Sequence, residues 1–138
     1  MLGEADAPEP LRIAPGGVDN PDGLGWNRDL VAAGGPTWLI VDGDEIVGLL
    51  CRKGPPDDGA VEIGYRIGEA RRRRGYAAAG LGLAIAAARA EPGLRRFIAE
   101  TVPANVASHK VLERNGFVQT GRRVDPSIGE LICWALEL

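Results

Sequence analysis

The sequence predicts an α/β (α+β) domain, a mixed, mostly antiparallel sheet with flanking helices. Three observations carry this expectation. Val61, Ile63, Tyr65 and Ile67 alternate with Glu62, Gly64 and Arg66, the period-two pattern of a strand with one apolar face. Two helical segments, one around Leu81, Ile85 and Ala88 and one around Val111 and Leu112, each follow a β-rich run. A closing pair of β-rich runs flanks Asp125-Pro126-Ser127-Ile128-Gly129. The order β-β-β-α-β-α-β-β is that of helices packed on a sheet. A chain of 138 residues, 45% hydrophobic, is long enough to form a single domain, 1–138, with its own core.

The elements follow in order. Residues 1–36 are rich in Gly, Pro and acidic side chains and read as mostly loop, an abbreviated first part with one weak helical candidate at 26–33. Residues 37–41 and 45–52 are β-rich runs joined by Asp42-Gly43-Asp44, a link suited to an antiparallel hairpin. A Pro-Pro-Asp-Asp-Gly loop leads to the third strand at 61–67. Residues 74–90 are nearly all Ala, Leu, Ile and Gly at helical spacing, and Pro92-Gly93 closes that helix. Residues 95–102 form a strand ended by Pro103. Asn105 can cap the second helix, and Asn115-Gly116 followed by Phe117 has the form of a C-terminal cap with an apolar clasp. Strands at 118–124 and 131–138 complete the chain.

No run approaches the length of a membrane span, and the start has no basic stretch followed by an apolar signal segment, so a soluble, cytoplasmic protein is expected. Cys51 and Cys133 lie far apart in strand-like runs, which fits buried free thiols better than a redox pair; no metal site is expected. The net charge of −3 is unevenly divided. Residues 1–70 hold 13 acidic and 5 basic side chains, residues 71–138 hold 6 and 11. An anionic ligand is therefore drawn to the second half and a cationic one to the first.

The most informative stretch is residues 71–81, where Arg71, Arg72, Arg73 and Arg74 meet Gly75-Tyr76-Ala77-Ala78 at the start of a helix. The first amides of a helix lack partners within it and lie at the positive end of its dipole, a setting suited to a phosphate. Gly75 lets the backbone come close and Ala77 adds little bulk. Taken alone, the segment reads equally well as a solvated arginine loop before an alanine-rich helix.

Together with Asn105-Val106-Ala107-Ser108-His109-Lys110-Val111-Leu112-Glu113-Arg114-Asn115-Gly116-Phe117, the segment resembles the GNAT superfamily of acyl-CoA-dependent N-acetyltransferases. The nearest likeness is to the branch of ribosomal-protein-alanine N-acetyltransferases, carried by Glu62-Ile63-Gly64-Tyr65, by Gly75-Tyr76-Ala77 and by residues 105–117. The resemblance implies a GNAT-like fold with splayed central strands. It also implies acetyl-CoA as cosubstrate, no metal, and transfer of the acetyl group to a primary amine by direct attack in a ternary complex.

What it implies for single residues is as follows. The backbone around Tyr65, Arg66 and Ile67 holds the pantetheine arm, and an amide near Arg66 or Ile67 faces the oxyanion. Amides and side chains from Arg72, Arg73, Arg74, Gly75, Tyr76, Ala77 and Ala78 hold the pyrophosphate. Asn105 contacts the pantetheine region or simply caps its helix. Glu62 accepts the amine proton through water, or is an ordinary strand carboxylate. Ser108, one helical step from Asn105, protonates the thiolate, or only adds polarity to the first turn. Neither tyrosine, Tyr65 nor Tyr76, follows the second helix where other branches keep a catalytic one, so no tyrosine acid is expected; His109 is expected to be solvated.

Two departures stand out. Ala79-Gly80 replaces the Glu-Ala common after this motif in related branches, and the first 36 residues are short and Gly-rich where the family builds one wall of the acceptor site. A homodimer is one way to complete that wall. Two other readings stay open, a sensor that binds acyl-CoA without turnover and, prompted by the arginine run, a nucleic-acid-binding module.

Overall fold

The computed structural model describes residues 2–4, 12–15 and 37–138. Strands β1 (Leu2–Glu4) and β2 (Arg12–Ile13) precede β3 (Thr37–Asp42), β4 (Glu45–Arg52) and β5 (Ala60–Ile67). Helix α1 (Tyr76–Arg89), strand β6 (Arg96–Thr101), helix α2 (Val106–Arg114) and strands β7 (Val118–Asp125) and β8 (Gly129–Glu137) follow. The sheet runs β1-β3-β4-β5-β6-β8-β7, with β2 parallel to β4 off this path. Among the described residues only β5–β6 and β2–β4 are parallel pairs, so the sheet is mixed and mostly antiparallel, as the sequence predicts.

Two short strands that the sequence reading did not name lie in the first part of the chain, β1 paired antiparallel with β3 and β2 paired parallel with β4. Both strands are too short for a periodic pattern to be visible, and pairing onto an existing edge stabilises them. The helical candidate at 26–33 lies outside the described residues.

The period-two reading of β5 holds. Val61 and Ile63 are buried beneath the helices with Leu50, Phe97, Ala99 and Trp134, while Leu81, Ala84, Ile85 and Ala88 supply the buried face of α1. Gly80 is part of that contact. A Cβ there would stand 2.9 Å from Ile40 Cδ1, so its departure from the family's pattern lets α1 sit close on β3. Helix α2 ends as its sequence suggests. Gly116 has φ 86°, Gly116 N–H donates to Glu113 O (3.0 Å), Phe117 N–H donates to Leu112 O (3.0 Å), and Phe117 is buried. This is the Schellman arrangement. The Asn115 side chain donates to Val111 O (3.0 Å) and across to Ala78 O (3.2 Å), fastening α2 to the first turn of α1.

Arg52 is the chief charged group in the core region, 7% exposed, with its guanidinium 5.3 Å from the Trp38 ring and donating to both Glu91 oxygens (3.1 and 2.5 Å). Arg52 holds the Glu91 carboxyl below its ordinary 4.5. A group depressed in this way stabilises the fold above its unfolded pKa and loses that contribution as pH falls through the folded one. Glu91→Gln, which strands the buried guanidinium, is expected to cost about 1 kcal/mol at neutral pH, a value kept small because Glu91 is half in solvent. Urea unfolding should show the gap to wild type narrowing below about pH 4.5.

Candidate active site at the strand splay

Strands β5 and β6 pair from Ala60↔Arg96 to Glu62↔Ile98 and no further, although β5 continues to Ile67 and β6 to Thr101. The two central strands therefore diverge. A cleft of about 520 Å³ fills the opening. It is lined on the helix side by Tyr65, Asn105, Ser108 and Leu112, and at its other end by Lys53, Glu62, Glu100 and Arg123.

Pairing explains this two-sided lining, because directly opposed residues share a face. Leu50↔Tyr65 and Arg52↔Ile63 lie on the face that packs under the helices, and Cys51↔Gly64 on the other. Lys53 N–H donates to Glu62 O (2.8 Å), continuing the ladder and placing their side chains on that other face. Glu100↔Cys133 and Arg123↔Leu131 put those side chains there too. The opening thus connects the two faces of the sheet.

On the helix side, Asn105 caps α2, its Oδ1 accepting from Ser108 N–H at 3.2 Å. The cap turns Ser108 towards the cleft, where its Oγ lies 2.7 Å from the Tyr65 hydroxyl; that hydroxyl also lies 3.4 Å from the Ser108 carbonyl. Burial raises the Tyr65 phenol above its ordinary value, outweighing the opposing effect of the Ser108 hydrogen bond, so it stays protonated at neutral pH. Sequence reasoning placed both residues near the thioester but not this contact, since one sits on a strand and the other on a helix 43 positions away.

On the opposite face, Lys53 Nζ donates to Glu62 Oε2 at 2.8 Å, with the two side chains 32% and 25% exposed. Arg123 donates to both oxygens of Glu100, one at 2.7 Å, and also approaches Asp125 (3.7 Å). Arg123 holds the Glu100 carboxyl below its ordinary value, against burial and with help from Lys53. Cys133 lies 3.8 Å from Glu100; burial first, and then the neighbouring carboxylate, raise its pKa, so it remains a thiol at neutral pH. Cys51 is buried, as expected, but Cys133 is only half so. Glu100, Arg123 and Lys53 escaped the sequence reading. The signal for Glu100 was a charged residue directly after the apolar run Phe97-Ile98-Ala99 of a central strand.

The turn that the sequence marks as a candidate phosphate cradle lies past the end of β5. Arg73 and Gly75 have positive φ (64° and 82°), and Ala79 N–H makes the first bond of α1, to Gly75 O at 3.0 Å. The amides of Tyr76, Ala77 and Ala78 precede that ladder, and Gly75 brings no side chain to cap them. A Cβ at Gly75 would meet nothing within 4 Å. Such a turn followed by a helix start can receive an anion. The arginines divide. Arg71 is half-buried and tied to Glu45 (2.5 and 3.1 Å), whereas Arg72, which donates to Ile67 O (3.1 Å), is exposed, as are Arg73 and Arg74. The Tyr76 hydroxyl turns from the cradle to Asp42 (2.5 Å).

Of the residues picked from sequence, Glu62, Tyr65, Arg66, Asn105 and Ser108 share the cleft, while Ile67 and residues 72–78 lie outside its lining. His109 differs from expectation. It is half-buried, its ring 5.6 Å from that of Trp134 and its Nε2 3.3 Å from Val102 O, because the helix cap turns it onto the sheet. Among the described residues no group of His, Cys, Asp or Glu could hold a metal ion, and no helix is long and apolar enough to cross a membrane.

Comparison with known proteins agrees with this geometry. Residues 18–118 match the acetyltransferase (GNAT) domain family. No curated protein matches the sequence. Among solved structures, a ribosomal-protein-S5-alanine acetyltransferase from Vibrio fischeri superposes with a TM-score of 0.69 at 20% identity, covering 84% of this chain and 69% of that one. The ribosomal L7/L12 α-N-protein acetyltransferase RimL, in complex with coenzyme A, gives 0.71 at 22% identity, over 85% and 70%. The aminoglycoside acetyltransferase AAC(6')-Ib, in complex with ribostamycin and coenzyme A, gives 0.68 at 13% identity, over 78% and 66%. Identities this low speak for the fold alone. The family match, spanning most of the chain and both segments that flank the splay, makes this protein a member of the GNAT acetyltransferase family.

Proposed function

We propose that the protein is an N-acetyltransferase that moves an acetyl group from acetyl-CoA to a primary amine, either a protein N-terminus or a small-molecule amine. The observation that carries this reading is the cleft at the splay. It joins a hydroxyl pair on one side to carboxylates on the other. Two substrates entering from opposite faces meet between β5 and β6, which favours direct transfer in a ternary complex and lets orientation supply much of the acceleration.

The residues present suit acetyl-CoA. The cradle amides at residues 76–78, with Arg73 and Arg74 beside them, hold the pyrophosphate, and the diverging edge of β5 at Tyr65, Arg66 and Ile67 takes the pantetheine arm in the manner of an added strand. Bound there, acetyl-CoA supplies the activated thioester. Glu62 takes the proton from the attacking amine, directly or through water, because a protonated amine has no lone pair to offer. Glu100 is a second carboxylate at the same end of the cleft. An amide near Arg66 or Ile67 faces the oxyanion. Ser108 donates a proton to the departing thiolate, and the neutral Tyr65 hydroxyl, 2.7 Å away, orients it.

Thiol release measured on a panel of amines and N-terminal peptides, alongside calorimetry of coenzyme A binding, tests the reading. Expected are coenzyme A binding and acceptor-dependent release. Binding with no transfer to any acceptor would replace the enzyme reading with that of an acyl-CoA sensor.

A further inference from the structure

The chain places arginine at nearly every cationic position. Of its 16 basic residues only Lys53 and Lys110 are lysines. The difference is chemical, because a guanidinium stays protonated whereas a lysine amine, once deprotonated, is a nucleophile. Lys110 is exposed on α2. Lys53 lines the cleft at the splay, on the acceptor face, with its Nζ 2.8 Å from Glu62 Oε2. A primary amine of the protein itself thus already occupies the place where the proposed reaction brings an acceptor amine to its proton acceptor.

We propose that Lys53 is an internal acetyl acceptor, so that with acetyl-CoA in the splay the protein acetylates its own Lys53 side chain. The inference rests on the acetyltransferase reading above. Glu62 takes a proton from the Lys53 ammonium along their existing hydrogen bond, and the freed lone pair attacks the thioester carbonyl. A C–N bond forms and the C–S bond breaks. The sulfur leaves with its electron pair and is protonated from Ser108, whose proton is replaced from solvent, and the second amine proton passes to water. The products are Nε-acetyl-Lys53 and free coenzyme A, with nothing oxidised or reduced.

The modification also changes the site. An acetylated Lys53 has no charge to hold Glu62, so the carboxylate is released for an external amine. An unmodified Lys53 competes with that amine, and self-acetylation removes the competitor.

The test is to incubate the full chain with acetyl-CoA bearing an isotopically labelled acetyl group and no added amine, then to follow intact mass and map the label by peptide analysis. Label is expected at Lys53 at least about 10-fold faster than at the exposed Lys110, at a first-order rate independent of protein concentration, and about 10-fold or more slower in Glu62→Gln. Lys53→Arg, which keeps a cation beside Glu62, should take up no label in the cleft peptide. Labelling of an external amine with none at Lys53 overturns the proposal and leaves the acetyltransferase reading standing. Equal labelling of Lys53 and Lys110, or a rate that rises with protein concentration, overturns it as well. Transfer to neither Lys53 nor any amine overturns both.

Discussion

A Gly75→Asp variant is expected to lose coenzyme A affinity by about 100-fold or more, equivalent to about 3 kcal/mol, while still folding. Gly75 holds φ 82° immediately before the unladdered amides of α1, and a Cβ there meets nothing within 4 Å, so the new side chain fits the free protein. The positive φ strains any side chain there, and Asp, which tolerates this backbone region better than most residues, is expected to cost about 1 kcal/mol of stability. Its carboxylate instead stands where the phosphates belong and replaces attraction with repulsion. Gly75→Asn, of the same shape without the charge, separates the two causes and should lose far less. Calorimetry on both variants, with thermal unfolding as the control for folding, decides the matter. Equal affinity of the Asp variant and wild type would place the phosphates elsewhere.

Ser108→Ala is expected to lower kcat by about 100-fold while coenzyme A affinity changes less than about 3-fold, since a group that acts only as the thiolate is expelled contributes to the transition state rather than to ground-state binding. The variant leaves the Asn105 cap intact, because that bond uses the Ser108 backbone amide. Tyr65→Phe separates positioning from chemistry. It removes the hydroxyl 2.7 Å from Ser108 Oγ but not the serine proton, and a loss of about 10-fold or less in kcat is expected. Steady-state rates with saturating acceptor, paired with calorimetry, read both variants. Full turnover by Ser108→Ala would remove Ser108 as the acid, and a larger loss in Tyr65→Phe than in Ser108→Ala would move that role to the tyrosine.

Much of the fold was legible because its signals are local. Alternation in β5, the alanine-rich face of α1, Asn105 before α2 and the Asn115-Gly116-Phe117 clasp each depend on neighbours within a turn or two, and each appears in the structure close to where its pattern lies. The two N-terminal strands were not legible, since a three-residue and a two-residue strand exist only through the edge they pair with. His109 was misplaced for a related reason. Its sequence neighbours are polar, but the helix cap turns it onto Trp134.

The candidate site divides along the same line. Gly75 and the residues after it are legible as a small-residue turn opening a helix, because the amides proposed to hold the anion belong to one contiguous segment, although the segment alone reads equally well as a solvated arginine loop. Arg71 and Arg72 show the limit of that reading, as their partners Glu45 and Ile67 are assigned only when strands β4 and β5 close around the turn. Likewise, Ser108 could be named from its segment, but its contact with Tyr65 could not.

What the sequence determined alone was the order and kind of the elements from β3 onwards, the small-residue turn that opens α1 and the capped helix that carries Ser108, all set by backbone preferences and short-range periodicity. Only the tertiary structure decided where β5 and β6 part, and hence that Lys53, Glu62, Glu100 and Arg123 gather at one end of a single opening with Tyr65 and Ser108 at the other. The reason is physical. A strand pattern states which side chains share a face, but the point at which two strands stop pairing depends on the register and twist of the whole sheet.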